Sequence, residues 1–253
     1  MVILVNKIHS LNIKKVSIKD KTVLITGASK GIGRSLALLL AQKGANLSLI
    51  ARSEIELMSL KAEIEVMGAK AEIYVGSVSD EDFVKSTIAS TIEIFGQLDG
   101  LINNAGFGVF QQATEISTAD WDAIYDTNVK GTFLFCREAI PFMKQAGGGH
   151  IINVASDVAK RVFDGGSLYC SSKYAQDAFS MALRKEVRKD AIKVSVVYSG
   201  LVDTYFHNKE AGDPHQAEYL TSENMADVIT YILEAPKHVV IDELMIHPIS
   251  QEY

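Results

Sequence analysis

Short apolar runs alternate with longer segments of helical periodicity along most of the chain. The apolar runs are rich in β-branched residues, and three of the helical segments end at a glycine, namely Gly44, Gly68 and Gly96. This alternation is typical of βαβ units on a parallel sheet. The predicted strands are residues 22–26, 46–51, 70–75, 98–103, 150–155, 193–198 and 239–246. The predicted helices are residues 32–44, 54–67, 81–95, 118–145, 168–189 and 222–234.

Strands that are apolar throughout are buried on both faces, so the pattern predicts helices on each side of the sheet. We therefore expect an α/β fold in which residues 20–253 form a single domain with a doubly wound, seven-stranded parallel sheet. Residues 1–19 carry four lysines and no acidic residue, and we expect them to form an N-terminal extension. Sites in doubly wound folds lie beyond the carboxyl ends of the strands, which is where the motifs of this chain fall.

Composition argues against several classes of function. The 253 residues include 25 basic and 31 acidic side chains, and a net charge of −6 gives no overall attraction for nucleic acid or an anionic membrane. Cys136 and Cys170 are far apart and the histidines lack metal-ligand spacing, so we expect no disulfide and no metal site. No apolar run is long enough to span a membrane, and no secretory signal is evident. These features predict a cytoplasmic protein whose partner is a small molecule.

A glycine-rich turn follows the first predicted strand and opens a helix. It reads T-G-A-S-K-G-I-G from Thr26 to Gly33. Gly27 and Gly31 permit a tight turn and close approach of the backbone to a ligand, and Gly33 lets helix and strand pack closely. The helix N-terminus favours anions, so this turn is predicted to bind the phosphates of a dinucleotide.

The end of the second predicted strand indicates which dinucleotide is bound. A carboxylate for the ribose hydroxyls is usual there, but this chain has Ala51 followed by Arg52. Lys30 lies inside the glycine-rich turn, and both cations are suited to a 2′-phosphate. We expect NADP(H) rather than NAD(H). Two observations leave the alternative open: Glu54 lies close by in the sequence, and the two cations are also compatible with solvated surface positions.

Tyr169 and Lys173 lie four positions apart, and Ser156 lies thirteen positions before the tyrosine. Residues i and i+4 share a helix face, so the phenol and the ammonium can serve one site. A phenol has an ordinary pKa of about 10, and a neighbouring cation lowers it by favouring the phenolate. Such a pair is suited to general acid–base catalysis, although a surface pair on an exposed helix has the same spacing.

Together these motifs closely resemble those of the short-chain dehydrogenase/reductase family, in its compact branch of about 250 residues. Further segments match in the same order: N-N-A-G at Asn103–Gly106, N-V-K-G from Asn128, Y-C-S-S-K at Tyr169–Lys173 and G-L-V-D-T ending at Thr204. The resemblance implies a Rossmann fold and hydride transfer between a nicotinamide cofactor and a carbonyl or alcohol group.

The resemblance also implies a role for each matching residue. Tyr169 is the expected acid/base, and Lys173 is expected to lower its pKa and to hold ribose hydroxyls. Ser156 is expected to bind the substrate oxygen, and Asn128 to hold a water that links Lys173 to solvent. The expected cofactor contacts are Gly27, Ser29, Lys30, Gly31, Ile32, Gly33, Arg52, Ser77, Val78, Asn104, Ala105, Gly106, Tyr169, Lys173, Gly200, Val202 and Thr204. Asn104 is also expected to tie neighbouring strands together.

Two positions depart from the family pattern. Ser77 stands before Val78, where the family commonly has an acidic residue near the adenine. Loss of one hydrogen bond there is expected to weaken binding by about 1 kcal/mol. Ser199–Gly200 replaces the usual Pro-Gly after the sixth strand. This change is expected to loosen a loop over the nicotinamide and to affect cofactor release more than chemistry.

The resemblance places the substrate pocket in residues 157–168, residues 205–220 and the end of the chain. The expected apolar wall of the pocket consists of Phe107, Phe110, Val158 and Phe163. The expected charged side chains are Asp157, Lys160 and Arg161. Arg161 is interpreted either as a partner for a substrate carboxylate or as a solvated surface arginine.

The C-terminal segment E-L-M-I-H-P-I-S-Q-E-Y is similar to that of NADP-dependent 3-hydroxy acid dehydrogenases and small carbonyl reductases. We therefore expect an NADP(H)-dependent oxidoreductase that acts on a 3-oxo or 3-hydroxy acid or a similar small compound. The alternatives are a sepiapterin-reductase-like enzyme, a 3-oxoacyl carrier-protein reductase, or a regulatory protein that senses NADP(H) without turnover. The resemblance also implies a homodimer or homotetramer that pairs through helices 118–145 and 168–189.

Overall fold

The computed structural model describes residues 15–204, 206, 212 and 214–252. Most of the expected N-terminal extension and part of the expected pocket segment 205–220 lie outside these residues. Within the extension, the Val16 N–H donates to the carbonyl oxygen of Glu234 at 2.9 Å, and Lys15 forms an ion pair with the Glu234 carboxylate at 2.9 Å. Ile18 is buried. Residues 15–18 therefore pack against the rest of the protein.

The strands are β1 Thr22–Thr26, β2 Asn46–Ala51, β3 Ala71–Val75, β4 Gly100–Asn103, β5 Gly149–Val154, β6 Ile192–Ser199 and β7 Glu243–Ile246. They are parallel and form one seven-stranded sheet in the order β3-β2-β1-β4-β5-β6-β7, which confirms the predicted fold. The last strand begins later than predicted, because a turn closed by the Val239 N–H and the Pro236 carbonyl oxygen at 2.9 Å ends at Val239 and residues 240–242 lie outside the strand. The fourth strand is also two residues shorter at its start.

Among the residues that the structure describes, seven α-helices connect and flank these strands. They are α1 Gly31–Gln42, α2 Glu54–Val66, α3 Glu81–Phe95, α4 Thr118–Tyr125, α5 Gly131–Gln145, α6 Ser167–Val187 and α7 Ser222–Leu233. The predicted helix 118–145 is divided into α4 and α5 by a π-helical turn over Asp126–Lys130. None of the helices that the structure describes is long and apolar enough to cross a membrane.

The sheet is covered on both faces, as its apolar strands require. On one face the side chains of α1, α2 and α7 pack with Ile25 of β1. On the other face α3, α5 and α6 pack with Leu24, the preceding residue of the same strand. The strand order reverses between β1 and β4. Ligands of doubly wound sheets bind at such a reversal, beyond the carboxyl ends of the strands.

Candidate active site

A cavity of about 660 Å³ lies beyond the carboxyl ends of the strands. Most of the site residues predicted from the sequence line it, namely Gly27, Ser29, Lys30, Gly31, Ile32, Arg52, Asn104, Ala105, Gly106, Ser156, Tyr169, Lys173, Gly200, Val202 and Thr204. Four predicted residues do not line it, namely Gly33, Ser77, Val78 and Asn128. The fold therefore gathers segments that are distant in sequence around one cavity.

The glycine-rich turn has the backbone that its sequence predicts. Gly27 and Gly31 have φ angles of +66° and +52°, which residues with a Cβ rarely adopt. A Cβ on Gly33 would lie 2.2 Å from the carbonyl oxygen of Gly27, so this glycine permits the close packing of α1 on the turn. The N-cap residue of α1, Lys30, makes no side-chain hydrogen bond to the first turn of the helix. The first-turn amide groups of α1 are therefore suited to the phosphates of a dinucleotide.

Asn104 ties the end of β4 to the end of β1. Its Nδ2 donates to the carbonyl oxygens of Thr26 and Gly27 at 3.0 and 3.1 Å. The Thr26 hydroxyl accepts from the backbone N–H groups of Asn104 and Ala105, both at 3.0 Å. These bonds fix the floor of the cavity beside the glycine-rich turn, and the structural role expected for Asn104 accounts for its amide.

Ser77 and Val78 follow β3 and lie outside the lining of the cavity. The Ser77 hydroxyl is 3.0 Å from the Ser79 hydroxyl, so its polar group is engaged in its own turn. Val78 is buried against α5, where a Cβ on Gly131 would lie 2.7 Å from Val78 Cγ2. Packing between the β3 loop and α5 is therefore the contact that the structure shows for Val78.

The two predicted cations differ in their surroundings. Arg52 is exposed and lines the cavity directly after β2. Lys30 also lines the cavity, but its Nζ lies 2.7 Å from Oε1 of Glu56 on α2. The nearby carboxylate expected from the sequence was Glu54, whereas the one that pairs with Lys30 is Glu56, two positions further along the same helix. The end of the cavity at Arg52 is therefore cationic, with one of its two charges already paired.

Tyr169 and Lys173 lie one turn apart on α6, and both are buried. The Lys173 ammonium is 5.9 Å from the centroid of the Tyr169 ring. It donates to the carbonyl oxygen of Val154 at 3.2 Å and to Oε1 of Gln176 at 3.1 Å. Gln176 was not singled out from the sequence, but its position three residues after the lysine places it on the same face of the helix.

Burial controls the pKa values of both groups. It raises the pKa of Tyr169 above its ordinary value of 10, and hydrogen bonding with the Ser156 hydroxyl acts in the opposite direction. Burial also lowers the pKa of Lys173 to about 8. The expected net lowering of the Tyr169 pKa is therefore not found in this arrangement, because burial outweighs the neighbouring groups. Near neutral pH the tyrosine hydroxyl holds its proton and is able to donate it.

Asn128 is fully buried within the π-helical turn. Its Oδ1 accepts from the Phe107 N–H at 3.1 Å, and its Nδ2 donates to the Phe107 carbonyl oxygen at 3.0 Å. Nδ2 also lies 3.1 Å from the Ser172 hydroxyl. The side chain thus joins the loop after β4 to α6, and the expected water relay stays a prediction. Single π-helical turns of this kind are frequent at functional sites.

Ser156 lies at the end of β5 beside a buried carboxylate. Its hydroxyl is 3.1 Å from Oδ1 of Asp157, whose Oδ2 accepts from Arg161 through Nε at 2.7 Å and Nη2 at 2.6 Å. The same Oδ2 lies 2.8 Å from Nε2 of Gln251 and 3.3 Å from Nε2 of His247. The C-terminal segment is therefore anchored next to Ser156.

Gln251 also holds the loop that follows β6. Its Oε1 accepts from the backbone N–H of Leu201 at 2.7 Å. A Cβ on Gly200 would lie 2.2 Å from the same oxygen and 2.6 Å from Cδ2 of His247. Sequence reasoning assigned the end of the chain to the pocket but did not single out these two side chains, because only the fold brings them to β5 and β6.

Aromatic side chains surround the Tyr169 ring on the substrate side of the cavity. Phe110 meets it edge to face, with 5.4 Å between ring centroids, and Phe206 lies at the same distance. Phe163 packs against Phe110 at 5.7 Å. Lys160, which was expected to contribute charge here, instead pairs with the buried Asp177 at 2.8 Å. No group of three or more potential metal-ligating side chains occurs among the residues the structure describes.

Comparisons with known proteins agree with this geometry. The sequence profile described as short chain dehydrogenase matches residues 21–214. An uncharacterized oxidoreductase of Staphylococcus epidermidis is 31% identical over 236 residues, which cover 92% of this chain and 99% of the relative. The alcohol dehydrogenase of the archaeon Thermococcus sibiricus, complexed with 5-hydroxy-NADP, superimposes with a TM-score of 0.87 at 30% identity, covering 92% of this chain and 98% of that one. The closed form of serine dehydrogenase complexed with NADP+ gives a TM-score of 0.84 at 30% identity, covering 92% and 96%. The chain therefore belongs to the short-chain dehydrogenase/reductase family and is an oxidoreductase of that family.

Proposed function

We propose that this protein is an NADP(H)-dependent oxidoreductase that interconverts a small carbonyl compound and its alcohol. The observation that carries the proposal is the position of Tyr169, Ser156 and Lys173 around the same cavity as the glycine-rich turn. A proton donor, a hydrogen-bonding hydroxyl and a buried cation thus surround one place for a reacting oxygen. This is the combination that general acid catalysis of carbonyl reduction requires.

The proposed chemistry assigns a step to each of these groups. When bound, the nicotinamide cofactor supplies or accepts the hydride. The Tyr169 hydroxyl donates its proton to the carbonyl oxygen during reduction and recovers it from the alcohol during oxidation. The Ser156 hydroxyl binds the same oxygen and shares its developing charge. The Lys173 ammonium, charged near neutral pH, stabilises the phenolate left on Tyr169. Asn128 orients the Phe107 loop through both backbone groups.

The residues present fit a dinucleotide with a 2′-phosphate. The N-terminus of α1 and the close turn at Gly27 and Gly31 are suited to its phosphates. Arg52 lines the cavity at the end of β2. A protein carboxylate that binds the ribose hydroxyls is usual at this position, and it would repel a 2′-phosphate, whereas an arginine attracts it. The NADP-type ligands of the Thermococcus sibiricus and serine dehydrogenase structures support the same preference.

We also infer that the protein forms a homodimer or homotetramer through α5 and α6. Phe133 on α5 and Tyr174 and Met181 on α6 are about two fifths exposed, so these two helices leave apolar surface uncovered. Phe133 packs edge to face on Phe179 with 6.2 Å between centroids, so the two helices present one aromatic surface. A closed symmetric pair would cover it.

The proposal is tested by following absorbance of the reduced nicotinamide with NADPH and then NADH. The panel contains ketones, aldehydes, diketones, keto acids, their esters and pterins. We expect oxidation of NADPH in preference to NADH with at least one carbonyl compound. Preference for NADH would contradict the role of Arg52 and leave the catalytic assignment intact. Tight binding of NADPH with no turnover across the panel would contradict the enzyme assignment.

A further inference from the structure

We propose that the pocket beside Tyr169 takes neutral carbonyl compounds that carry an aromatic group and disfavours those that carry a carboxylate. The inference rests on the proposed function, because it names the substrate class of the same site. It departs from the 3-oxo or 3-hydroxy acid expected from the C-terminal sequence. Two independent features of the pocket support the proposal: the arrangement of its aromatic rings and the ion pair between Arg161 and Asp157.

The rings form a continuous apolar wall around the reacting hydroxyl. Phe110 contacts Tyr169, Phe163 and Phe206, with centroid separations of 5.4, 5.7 and 6.4 Å. Phe110 and Phe163 line the cavity and are 38% and 39% exposed, so apolar ring surface faces the space where a substrate would lie. Aromatic rings attract one another edge to face or offset-stacked at centroid distances of about 4.5–7 Å. A flat aromatic substituent therefore gains more from this wall than a short aliphatic chain does.

Arg161 lines the same cavity, but its guanidinium is already paired with the carboxylate of Asp157. Its Nε and Nη2 lie 2.7 and 2.6 Å from Oδ2 of Asp157, and the side chain of that aspartate is 5% exposed. Two short hydrogen bonds from one guanidinium to a buried carboxylate form a strong pair. A substrate carboxylate would have to share this arginine with Asp157 or displace it, and displacement would leave a buried negative charge without its partner.

The groups around Asp157 make the pair harder to open. Gln251 and His247 donate to the same carboxylate from the C-terminal segment, and the Ser156 hydroxyl lies against its other oxygen. Moving Asp157 would therefore disturb both the tail and a proposed catalytic residue. The carboxylate would also repel a second carboxylate bound nearby.

Other cations of the described lining are not available beside the rings. Lys173 is buried and hydrogen-bonded to Val154 and Gln176. Lys30 pairs with Glu56 of α2, and Arg52 follows β2, at the end of the cavity assigned to the cofactor. Lys160 does not line the cavity, and it is held by Asp177 and Glu243 at 2.8 and 3.4 Å. Within the part of the chain that the structure describes, charge and shape therefore both favour a neutral aromatic substrate.

Binding of 4-acetylbenzamide and 4-acetylbenzoate to the protein holding NADP+ tests the proposal directly. The two ketones share the ring and the acetyl group and differ in charge, and the oxidised cofactor prevents their reduction during the titration. By isothermal titration calorimetry we expect the amide to bind at least tenfold more tightly. Equal or tighter binding of the benzoate would overturn the proposal.

Asp157→Asn tests the part played by the ion pair. Removing the carboxylate charge frees Arg161 for a ligand, so we expect binding of the benzoate to improve at least fivefold relative to the amide. Combining this change with Arg161→Gln is expected to abolish the gain. Absence of any relative gain in folded Asp157→Asn protein would overturn the argument from the ion pair.

Phe163→Ala tests the aromatic wall. With NADPH, we expect kcat/KM for acetophenone to fall at least fivefold more than kcat/KM for butanone. Tyr231→Ala is the matched control, because this ring is half exposed on α7, outside the cavity lining. An equal loss for both ketones would contradict recognition of the ring. If no carbonyl compound is reduced but the binding preference holds, the proposed function fails and the inference about the pocket stands.

Discussion

The Lys30 ammonium lies 2.7 Å from the Glu56 carboxylate at the edge of the cofactor end of the cavity. The two side chains are 51% and 31% exposed, and such surface pairs contribute about 0–1 kcal/mol. Glu56→Gln removes a negative charge near the proposed 2′-phosphate and breaks the ion pair between this residue and Lys30. We expect the ratio of NADH to NADPH dissociation constants to rise up to about fivefold, which corresponds to about 1 kcal/mol. Fluorescence titration of both cofactors measures it.

Arg52→Ala is expected to act in the opposite direction, because Arg52 lines the cavity after β2. A charge-assisted hydrogen bond contributes about 1.5–3 kcal/mol, so binding of NADPH should weaken on the order of tenfold to a hundredfold. Binding of NADH should change little. Arg34→Ala serves as the control, since Arg34 pairs with Glu63 at 2.6 Å and does not line the cavity. Equal weakening for both cofactors would contradict a phosphate contact at Arg52.

Gly200→Ala is expected to weaken the contact between the C-terminal segment and the loop after β6. The new Cβ would lie 2.2 Å from Oε1 of Gln251 and 2.6 Å from Cδ2 of His247, so both side chains must shift and Gln251 must give up its hydrogen bond to the Leu201 N–H. We expect a loss of about 1–3 kcal/mol in the free energy of unfolding, measured with urea. The same change should cost less in a Gln251→Ala background, where the closer of these contacts is absent. Additive losses would contradict the contact between Gly200 and Gln251.

Lys173 makes the stability of the protein depend on pH. Burial lowers its pKa from 10.5 to about 8, so between these values the unfolded chain binds more protons than the folded protein. Stability attributable to this group therefore rises with pH across that window. The free energy of unfolding of the wild type should gain about 2 kcal/mol relative to Lys173→Met between pH 7 and 9.5. A difference that stays constant with pH would contradict a depressed pKa.

Met181→Asp tests the proposed oligomer. Met181 is 39% exposed on α6, and a carboxylate there would have to be buried between protomers. Light scattering should show a dimer or tetramer for the wild type and a smaller species for the variant. Val66→Asp is the control, because Val66 is 89% exposed on α2, away from α5 and α6. A monomeric wild type, or an unchanged mass in Met181→Asp, would contradict the inference.

The local sequence pattern predicted the helices and strands well, because a run of apolar residues marks a buried strand and a glycine marks the end of a helix. Gly27 and Gly31 have the positive φ angles that their motif implies, and most of the predicted site residues line one cavity. The length of β7 was less predictable, because residues 240–242, which follow the turn at Pro236, lie outside the strand. The π-helical turn at Asp126–Lys130 divides the predicted helix 118–145, although the helical periodicity of the sequence continues through it.

Contacts between distant segments could not be predicted in this way. Asp157 and Gln251 are 94 positions apart and meet only because β5, β6 and β7 lie side by side. The same holds for the pairing of Lys30 with Glu56, which depends on how α2 packs beside the glycine-rich turn. The pKa of Tyr169 was expected to fall, but the depth at which the fold buries the ring raises it. Burial is a property of the whole fold and is weakly encoded in local sequence.

The most direct test of the proposed function compares the wild type with Tyr169→Phe and Tyr174→Phe. Tyr174 lies on the same helix and does not line the cavity, so it controls for loss of a tyrosine hydroxyl elsewhere. With NADPH and the best carbonyl substrate, we expect Tyr169→Phe to lose activity by a factor of about 10² to 10⁴, because its proton donor is gone. NADPH binding should be preserved, and Tyr174→Phe should retain its activity. Near-wild-type turnover in Tyr169→Phe would contradict the account.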